Sequence, residues 1–555
     1  MHPRNIYRHK APDFLELAEV YPKLKKHLII SSTKSATSTL SLSPAVTIDF
    51  QNEESQRCLT EALLYRDFGL KLQIPSDRLC PPVPNRLVFS LTNHFFPADS
   101  KFAQLSLFVS RLNYVLWIQD IVRNTQITER ELSPTSQGME RHEIEMIRGV
   151  DIGTGSSAIY PLLACVLEPS WRMYASGSEI DRVSLVCAEK NISDNNLQDR
   201  IELIDSSCSS SSFVSQSLAT GSDDATMVMD DEENPREDCN SESRDIPILW
   251  PLFLHSDVSF YFAMCNPPFY SSIEDIEQSA KGKMTGPNAV CTGAEVEMIT
   301  PGGESEFVMR MMEESRRVGT RCRWFTSMLG KLSSIEQVVD LLKVLKIHNY
   351  AITEFVQGQT RRWAVAWSFI DVRLPDSIAR ISYPNQIIQR CLPARNTFQQ
   401  TVPVSGCTDT NLATEALRKI LMEILRAVYK AEFWEVKDGA HGIQKAEETH
   451  KESYFVLRVE EDTWSRSARR KLQQQQLEKG AQETDTSASN SDRNGRMEKS
   501  GAVCTIHVGL CDENNGSDAF VEFNWRRGRE EDRTLFQSLC SHLSRKILQH
   551  WRDNF

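Results

Sequence analysis

The segment Cys265-Asn266-Pro267-Pro268-Phe269-Tyr270 follows an apolar run, Phe260 to Met264, and combines an amide side chain, two prolines and an aromatic ring. An exocyclic amine on a purine is a poor nucleophile because its lone pair is delocalised into the ring. Methylating it calls for acceptors that hold the N–H groups while the nitrogen pyramidalises toward the donor. The side-chain oxygen of Asn266 and the main-chain carbonyl of Pro267 can supply both acceptors, and the prolines fix the turn so that little reorganisation remains. No general base is then obligatory. Phe269, with Tyr270 as the weaker alternative, would stack on a base taken out of its helix. Similar tetrapeptides also serve methylation of glutamine amides, so the tetrapeptide does not settle the substrate. Read in isolation it is a rigid turn with Phe269 in a core.

Upstream, Asp151-Ile-Gly153-Thr-Gly155-Ser156-Ser157 follows a strand-like run and opens a helical one marked by Ile159, Leu162 and Leu163. A glycine turn in that place lets a ligand approach backbone N–H groups at a helix N-terminus, as a nucleotide-type pocket requires. The third glycine of the dinucleotide fingerprint is missing and no P-loop lysine is present, so nicotinamide cofactors and ATP fit poorly. Farther on, Glu179 is placed like the acid that ends a second strand and binds ribose hydroxyls. The alternative is an ordinary tight turn and an exposed Glu.

These residues need a scaffold, and the text between about 140 and 370 provides one. Short apolar strands at Arg148 to Ile152, Ile201 to Ile204 and Phe260 to Met264 alternate with helical patterns at Asp181 to Asn191 and Glu304 to Arg317. Alternation of this kind predicts an α/β, doubly wound, mostly parallel sheet, with Asn266 where its fourth strand ends. Before it, to about residue 85, amphipathic patterns at Phe14 to Leu24 and Cys58 to Tyr65 predict an all-α-leaning cap. After it, residues 371–410 read as a linker. From 411, a helix around Leu417 to Val428, strands at Tyr454 to Val459, Ala502 to Gly509 and Ala519 to Trp525, and a last helix through Leu535 to Ile547 predict a small α+β module. Two polar stretches, 206–245 with its serine run and acidic block and 463–500 with its basic start and Gln473 to Gln476, are expected to be disordered insertions.

Composition limits the classes. The 555 residues are 40% hydrophobic and 25% charged, as in a globular protein of several domains. Lys plus Arg number 63 against 75 Asp plus Glu, a net charge of -12, so a nucleic-acid partner must be met by local basic patches. No stretch approaches the roughly 18 apolar residues of a membrane span. The 14 cysteines form no Cys-x-x-Cys pair and there is no His-Glu-x-x-His, which predicts reduced thiols and no metal site.

The shared text beyond these two motifs is extensive. It runs through Met1-His-Pro-Arg4-Asn5, Pro12-Asp-Phe14, Arg111-Leu-Asn-Tyr114, Ile159-Tyr-Pro-Leu162, Gly302-Gly-Glu304, Glu306-Phe-Val308, Arg323-Trp324, Met328-Leu-Gly-Lys331, Thr353-Glu-Phe355, Gln357-Gly358, Arg362-Trp-Ala364 and Ala366-Trp-Ser-Phe369. Over residues 1–370 the chain resembles the U6 small nuclear RNA adenine-N6 methyltransferases, or methyltransferase-like protein 16, as a fungal-type member. The resemblance implies a Rossmann-like class I methyltransferase fold over 111–370 after an N-terminal helical RNA-binding extension, 1–85. It implies S-adenosylmethionine as donor and N6-methyladenosine in structured RNA, U6 above all, as product. Arg111, Asp151, Gly153, Gly155 and Glu179, with Asn266, would contact the donor, and Asn266, Pro267, Pro268 and Phe269 would hold the adenine. A guanidinium at Arg111 suits the donor's carboxylate.

Arg4, Arg8 and Lys10 suit an arm along RNA phosphates, with Lys281 and Lys283 as weaker contacts; a solvated tail is the alternative. Residues 86–110 interrupt the family text, and a retained intron would explain them. Trp324, Trp363 and Trp367 are expected to pack in the core. Other functions stay open: methylation of ribosomal RNA or a protein amide, or RNA binding with little activity. Arg526, Arg527 and Arg529 form a basic turn that could touch RNA. The Arg466 to Lys471 cluster resembles an import signal, which with the U6 substrate predicts the nucleus, and the cytoplasm as a second compartment.

Overall fold

The computed structural model describes residues 1–8, 12–31, 45–50, 52–75, 107–131, 146–177, 182–205, 246–276, 298–357, 360–404, 410–436, 453–482, 501–511 and 518–554. They form two compact units: residues 1–117, 143–341 and 354–368, and residues 118–142, 342–353 and 369–555.

In the first unit the N-terminal segment carries α1 (Phe14–Val20), a two-stranded hairpin of β1 (Leu28–Ser31) and β2 (Ala45–Ile48), and α2 (Glu53–Phe68). Asp13 caps α1 through its side chain. Asn52 does the same for α2, which Gly69 ends at φ +67. The hairpin was not legible in the sequence, where short strands separated by a long polar stretch leave the helical patterns dominant.

Then come α3 (Leu107–Glu131), β3 (Ile147–Ile152), α4 (Ile159–Leu167), β4 (Trp171–Gly177), α5 (Arg182–Asp194), β5 (Ile201–Asp205), α6 (Trp250–Leu254) and β6 (Phe260–Cys265). The series ends with α7 (Gly303–Val318), β7 (Cys322–Leu329), α8 (Leu332–Val344), β8 (Tyr350–Gln357) and β9 (Thr360–Trp367). The strands make one seven-stranded sheet in the order β5-β4-β3-β6-β7-β9-β8. Neighbours from β5 through β7 are parallel and β9 runs antiparallel to β7. This is the doubly wound, mostly parallel sheet expected from the alternation. All six residues of β6 are buried, as strands covered on both faces require. Trp324, Trp363 and Trp367 are core residues.

The chain builds the sheet outward from β3 through β4 to β5, then returns to place β6 on the other side of β3. The crevice at that reversal is where doubly wound sheets bind ligands. Close packing there depends on Gly149, the Cα partner of Phe262, because a Cβ at this position would run into the Phe262 ring.

The second unit holds α9 (Asp376–Ala379), α10 (Gln386–Cys391), β10 (Thr397–Val402), α11 (Thr410–Arg426), β11 (Glu432–Val436), β12 (Ser453–Val459), α12 (Arg466–Gln482), β13 (Ala502–Leu510), β14 (Ala519–Arg527) and α13 (Arg533–Asn554). Its sheet is antiparallel, in the order β10-β14-β13-β12-β11. Leu417 and Leu421 from α11, with Leu539 and Leu543 from α13, pack on Phe455, Ile506 and Phe523.

Four expectations need correction. Residues 371–410 are not a linker, since β10 pairs along its whole length with β14. Its middle residues face solvent, so the stretch reads as polar. Residues 466–482 are helical: Ser465 Oγ accepts the Ala468 N–H at 3.1 Å, a side-chain cap before a run polar on every face. Arg526 is no free basic contact, being buried with Nη1 and Nη2 donating to Asn124 Oδ1 and O at 3.0 and 3.1 Å. Arg527 is paired with Asp371 at 3.3 Å. Residues 107–110, placed in an insertion by sequence, are the first turn of α3. The rest of that insertion from 86, the stretch 206–245 and residues 483–500 lie outside the described residues.

Gly149→Ala is expected to destabilise the protein by about 1–3 kcal/mol, the usual cost of overpacking. Denaturant unfolding measures this, and an unchanged midpoint would show that β3 and β6 do not need the close approach.

Candidate active site

Ile152, the last residue of β3, is the parallel Cα partner of Cys265, the last residue of β6. The glycine turn and the Asn-Pro-Pro-Phe turn therefore leave adjacent strands at the same level of the sheet, about 5 Å apart by strand spacing. Nothing in either motif's sequence requires this meeting.

The glycine turn is bent by Gly153 at φ +72 and Gly155 at φ +64, values open to glycine. Ser176, at the end of β4, holds its first half: the Gly153 N–H donates to Ser176 Oγ at 3.3 Å and the Thr154 N–H to Ser176 O at 2.9 Å. Around the turn lie buried polar atoms that have no hydrogen-bond partner among the described residues: both Asp151 carboxylate oxygens, Thr154 Oγ1, Ser156 Oγ and Arg111 Nη1. Buried polar atoms are nearly always paired, so a cluster of exceptions marks a place built for a polar ligand. Its chemistry fits an amino-acid-bearing cofactor: a guanidinium for a carboxylate, a carboxylate for an ammonium, and hydroxyls and turn amides between them. Burial raises the Asp151 carboxyl to about 7, opposed by the Thr154 hydroxyl and the Arg111 charge. Glu179 lies outside the described residues.

In the second turn Pro267 is buried and Asn266, Pro268 and Phe269 are half-buried. Its base is pinned by Tyr114, fully buried on α3. The Cys265 N–H donates to the Tyr114 hydroxyl at 3.3 Å, and that hydroxyl lies 2.7 Å from Thr326 Oγ1. Beyond the turn, the Tyr270 N–H donates to Met298 O at 3.0 Å and the Thr300 N–H to Tyr270 O at 2.9 Å.

Phe269 is framed by Gly330, Glu304 and Arg362. A Cβ at Gly330 would stand 3.0 Å from the Phe269 ring. Glu304, buried at the start of α7, fixes that corner by accepting the Gly330 N–H at 2.6 Å, the Lys331 N–H at 2.7 Å and the Ser334 hydroxyl at 2.7 Å. Burial raises the Glu304 carboxyl against these bonds. Arg362 Cζ lies 5.3 Å from the Phe269 ring centroid, within cation–π range. Lys331 Nζ pairs with Asp275 at 2.8 Å, tying down the segment after the Asn-Pro-Pro-Phe turn. Gly302-Gly-Glu304, Met328-Leu-Gly-Lys331 and Arg362-Trp-Ala364 were the only signals, and they carry no spacing rule.

The basic candidates are only partly placed. Arg4 donates through Nη2 to Leu116 O at 2.9 Å, so part of its guanidinium serves α3. Arg8 is exposed at the end of a 3-10 turn. Lys10, Lys281 and Lys283 lie outside the described residues. Asn113, buried between Arg111 and Tyr114, accepts the His2 N–H at 3.0 Å and an Asn5 amide proton at 2.8 Å.

A model of a family described as RNA methyltransferase matches residues 1–99, 104–231 and 240–371. The chain belongs to this RNA methyltransferase family. The match breaks at 100–103, inside the stretch suspected of being an intron, and not across the whole of 86–110. Among relatives of this family, mouse RNA N(6)-adenosine-methyltransferase METTL16 is 32% identical over 373 residues, 67% of this chain and 52% of that protein. The fission yeast (Schizosaccharomyces pombe) U6 small nuclear RNA (adenine-(43)-N(6))-methyltransferase is 29% identical over 510 residues, 91% of this chain and 96% of that protein. The chain thus spans about half the length of the mouse relative it matches and nearly all of the yeast one. A solved structure of the human METTL16 catalytic domain with a MAT2A 3′UTR hairpin has a TM-score of 0.46 at 29% identity, over 70% of this chain and 99% of that one.

The Asp151 shift has a definite sign. A carboxyl raised from its ordinary value to about 7 favours the folded state fully below about pH 4, and that contribution is lost as pH rises to about 7. Asp151→Asn should flatten this decline in Tm between pH 4 and pH 7. A variant whose Tm falls with pH as steeply as the native chain's would show that Asp151 is not the group responsible.

Proposed function

We propose that this chain is an S-adenosylmethionine-dependent RNA adenine-N6 methyltransferase acting on structured RNA, with U6 small nuclear RNA as its main substrate. The observation that carries the reading is the Ile152 to Cys265 pairing, which sets an Asn-Pro-Pro-Phe turn beside a glycine turn ringed by unpaired buried polar atoms. The names of the mouse and yeast relatives support it.

When bound, S-adenosylmethionine supplies an electrophilic methyl group on a sulfonium. Arg111 would take its carboxylate, Asp151 its ammonium, and Gly153 and Gly155 leave the turn's backbone bare for close approach. Asn266 Oδ1 and the Pro267 carbonyl would accept hydrogen bonds from the adenine N6 amine, drawing its lone pair out of the ring and toward the methyl carbon. Phe269, steadied by Gly330 and Arg362, would stack on the extruded base. Pro267 and Pro268 hold this geometry before the base arrives. Arg4 and Arg8, with Lys10, Lys281 and Lys283, would meet RNA phosphates and make binding weaken with salt. The exposed Arg466, Arg469, Arg470 and Lys471 on α12 support a nuclear location.

Methyl transfer from labelled donor to U6 RNA, followed by nuclease digestion and nucleoside analysis, tests the reading. The native chain should yield N6-methyladenosine, and Asn266→Ala should lower kcat about 100- to 1000-fold, as loss of a transition-state hydrogen bond does. Equal incorporation by both would remove Asn266 from the mechanism. Label found only in ribosomal RNA or protein would replace the substrate, and RNA binding without label would make the chain a binding protein.

A further inference from the structure

The glycine turn is strained beyond its glycines. Ala158, which caps α4, sits at φ +48, so three of the six residues from Gly153 to Ala158 are left-handed. Alanine adopts that region only when its surroundings impose it. Among the described residues, two side chains hold the backbone of this turn. Ser176 holds the first half. Asn191, fully buried on α5, holds the second by donating from Nδ2 to Ser156 O at 3.2 Å.

The same amide grips a second piece of chain. Asn191 Oδ1 accepts the Gln73 N–H at 2.8 Å, and Nδ2 donates its other proton to Gln73 O at 3.0 Å. Both donors and the acceptor of the side chain are thereby used. Asn195, one helical turn farther, clamps Lys71 in the same way, with bonds of 2.8 and 2.6 Å, but it is exposed at that contact and does not reach the glycine turn. The segment Leu70 to Gln73, which continues from α2, is thus bound along α5 by two asparagines. Only one of them also touches the donor site.

We propose that Asn191 is a positioning residue for the donor. It sets the Ser156 carbonyl, and with it the Ser156 hydroxyl, and it links that geometry to docking of the Leu70 to Gln73 segment. Donor binding and docking of the segment then reinforce each other, since coupling between two sites is reciprocal. The inference rests on the donor reading above.

Calorimetric titration of the full chain with S-adenosylhomocysteine separates the two. Asn191→Ala should bind about tenfold more weakly, as expected when a buried carbonyl loses its donor, while kcat at saturating donor changes little. Asn195→Ala, which loosens the same segment, should bind like the native chain. In the native chain, the Lys71 and Gln73 amides should exchange with solvent deuterium more slowly once S-adenosylhomocysteine is added. Native affinity in Asn191→Ala overturns the proposal, and so does an equal loss in both variants, which would mean general loosening. Should Asn191→Ala not fold, the exchange measurement decides, and unchanged rates overturn the coupling. A native chain that binds no S-adenosylhomocysteine removes the donor reading itself.

Discussion

The parallel pairing of β3 with β6 is the constraint on which the rest of the first unit depends. Residues 152 and 265 are far apart in sequence, and each ends a strand whose next residue begins a functional turn. Sheet spacing then fixes the distance between the glycine turn and the Asn-Pro-Pro-Phe turn without any flexible linker. Gly149 leaves room over β3 for the Phe262 ring of the neighbouring strand, which a Cβ at this position would meet.

The helix α3 supplies a second frame. Within one turn, Arg111 brings its guanidinium near Asp151 at the glycine turn, Asn113 holds His2 and Asn5, and Tyr114 pins the amide of Cys265. Two segments distant in sequence thereby take their positions from one rigid element. A site built on packed helices and strands keeps its geometry better than one built on loops. Burial of Tyr114 raises its phenol well above the ordinary range.

The Asn-Pro-Pro-Phe corner is supported in layers. Glu304 holds the Gly330 and Lys331 amides, that corner backs Phe269, and Arg362 covers another part of the ring. Such support limits the freedom of the Phe269 ring, so that ordering it for a contact costs less side-chain entropy. The second unit follows different rules: its antiparallel sheet is covered by α11 and α13 on one side, and its arginines nearest the β14 turn are used in packing and ion pairs.

Local chemistry was legible in the amino acids alone. Asn266 to Phe269 and Asp151 to Gly155 could be read because prolines, glycines and their neighbours impose backbone shape within a few residues, and the strand and helix alternation could be read because burial on both faces makes β6 wholly apolar. The polar edge strand β10, the hairpin of β1 and β2, and the capped helix α12 could not, since their residues look like linker until a partner strand or cap is known. Neither could the roles of Tyr114, Asn191, Glu304 and Arg362. The sequence determined which chemical groups the protein owns and the local bends that present them. Only the tertiary structure decided which of them meet, because hydrogen bonds between residues scores of positions apart depend on strand order and helix packing, and these leave no spacing in the chain.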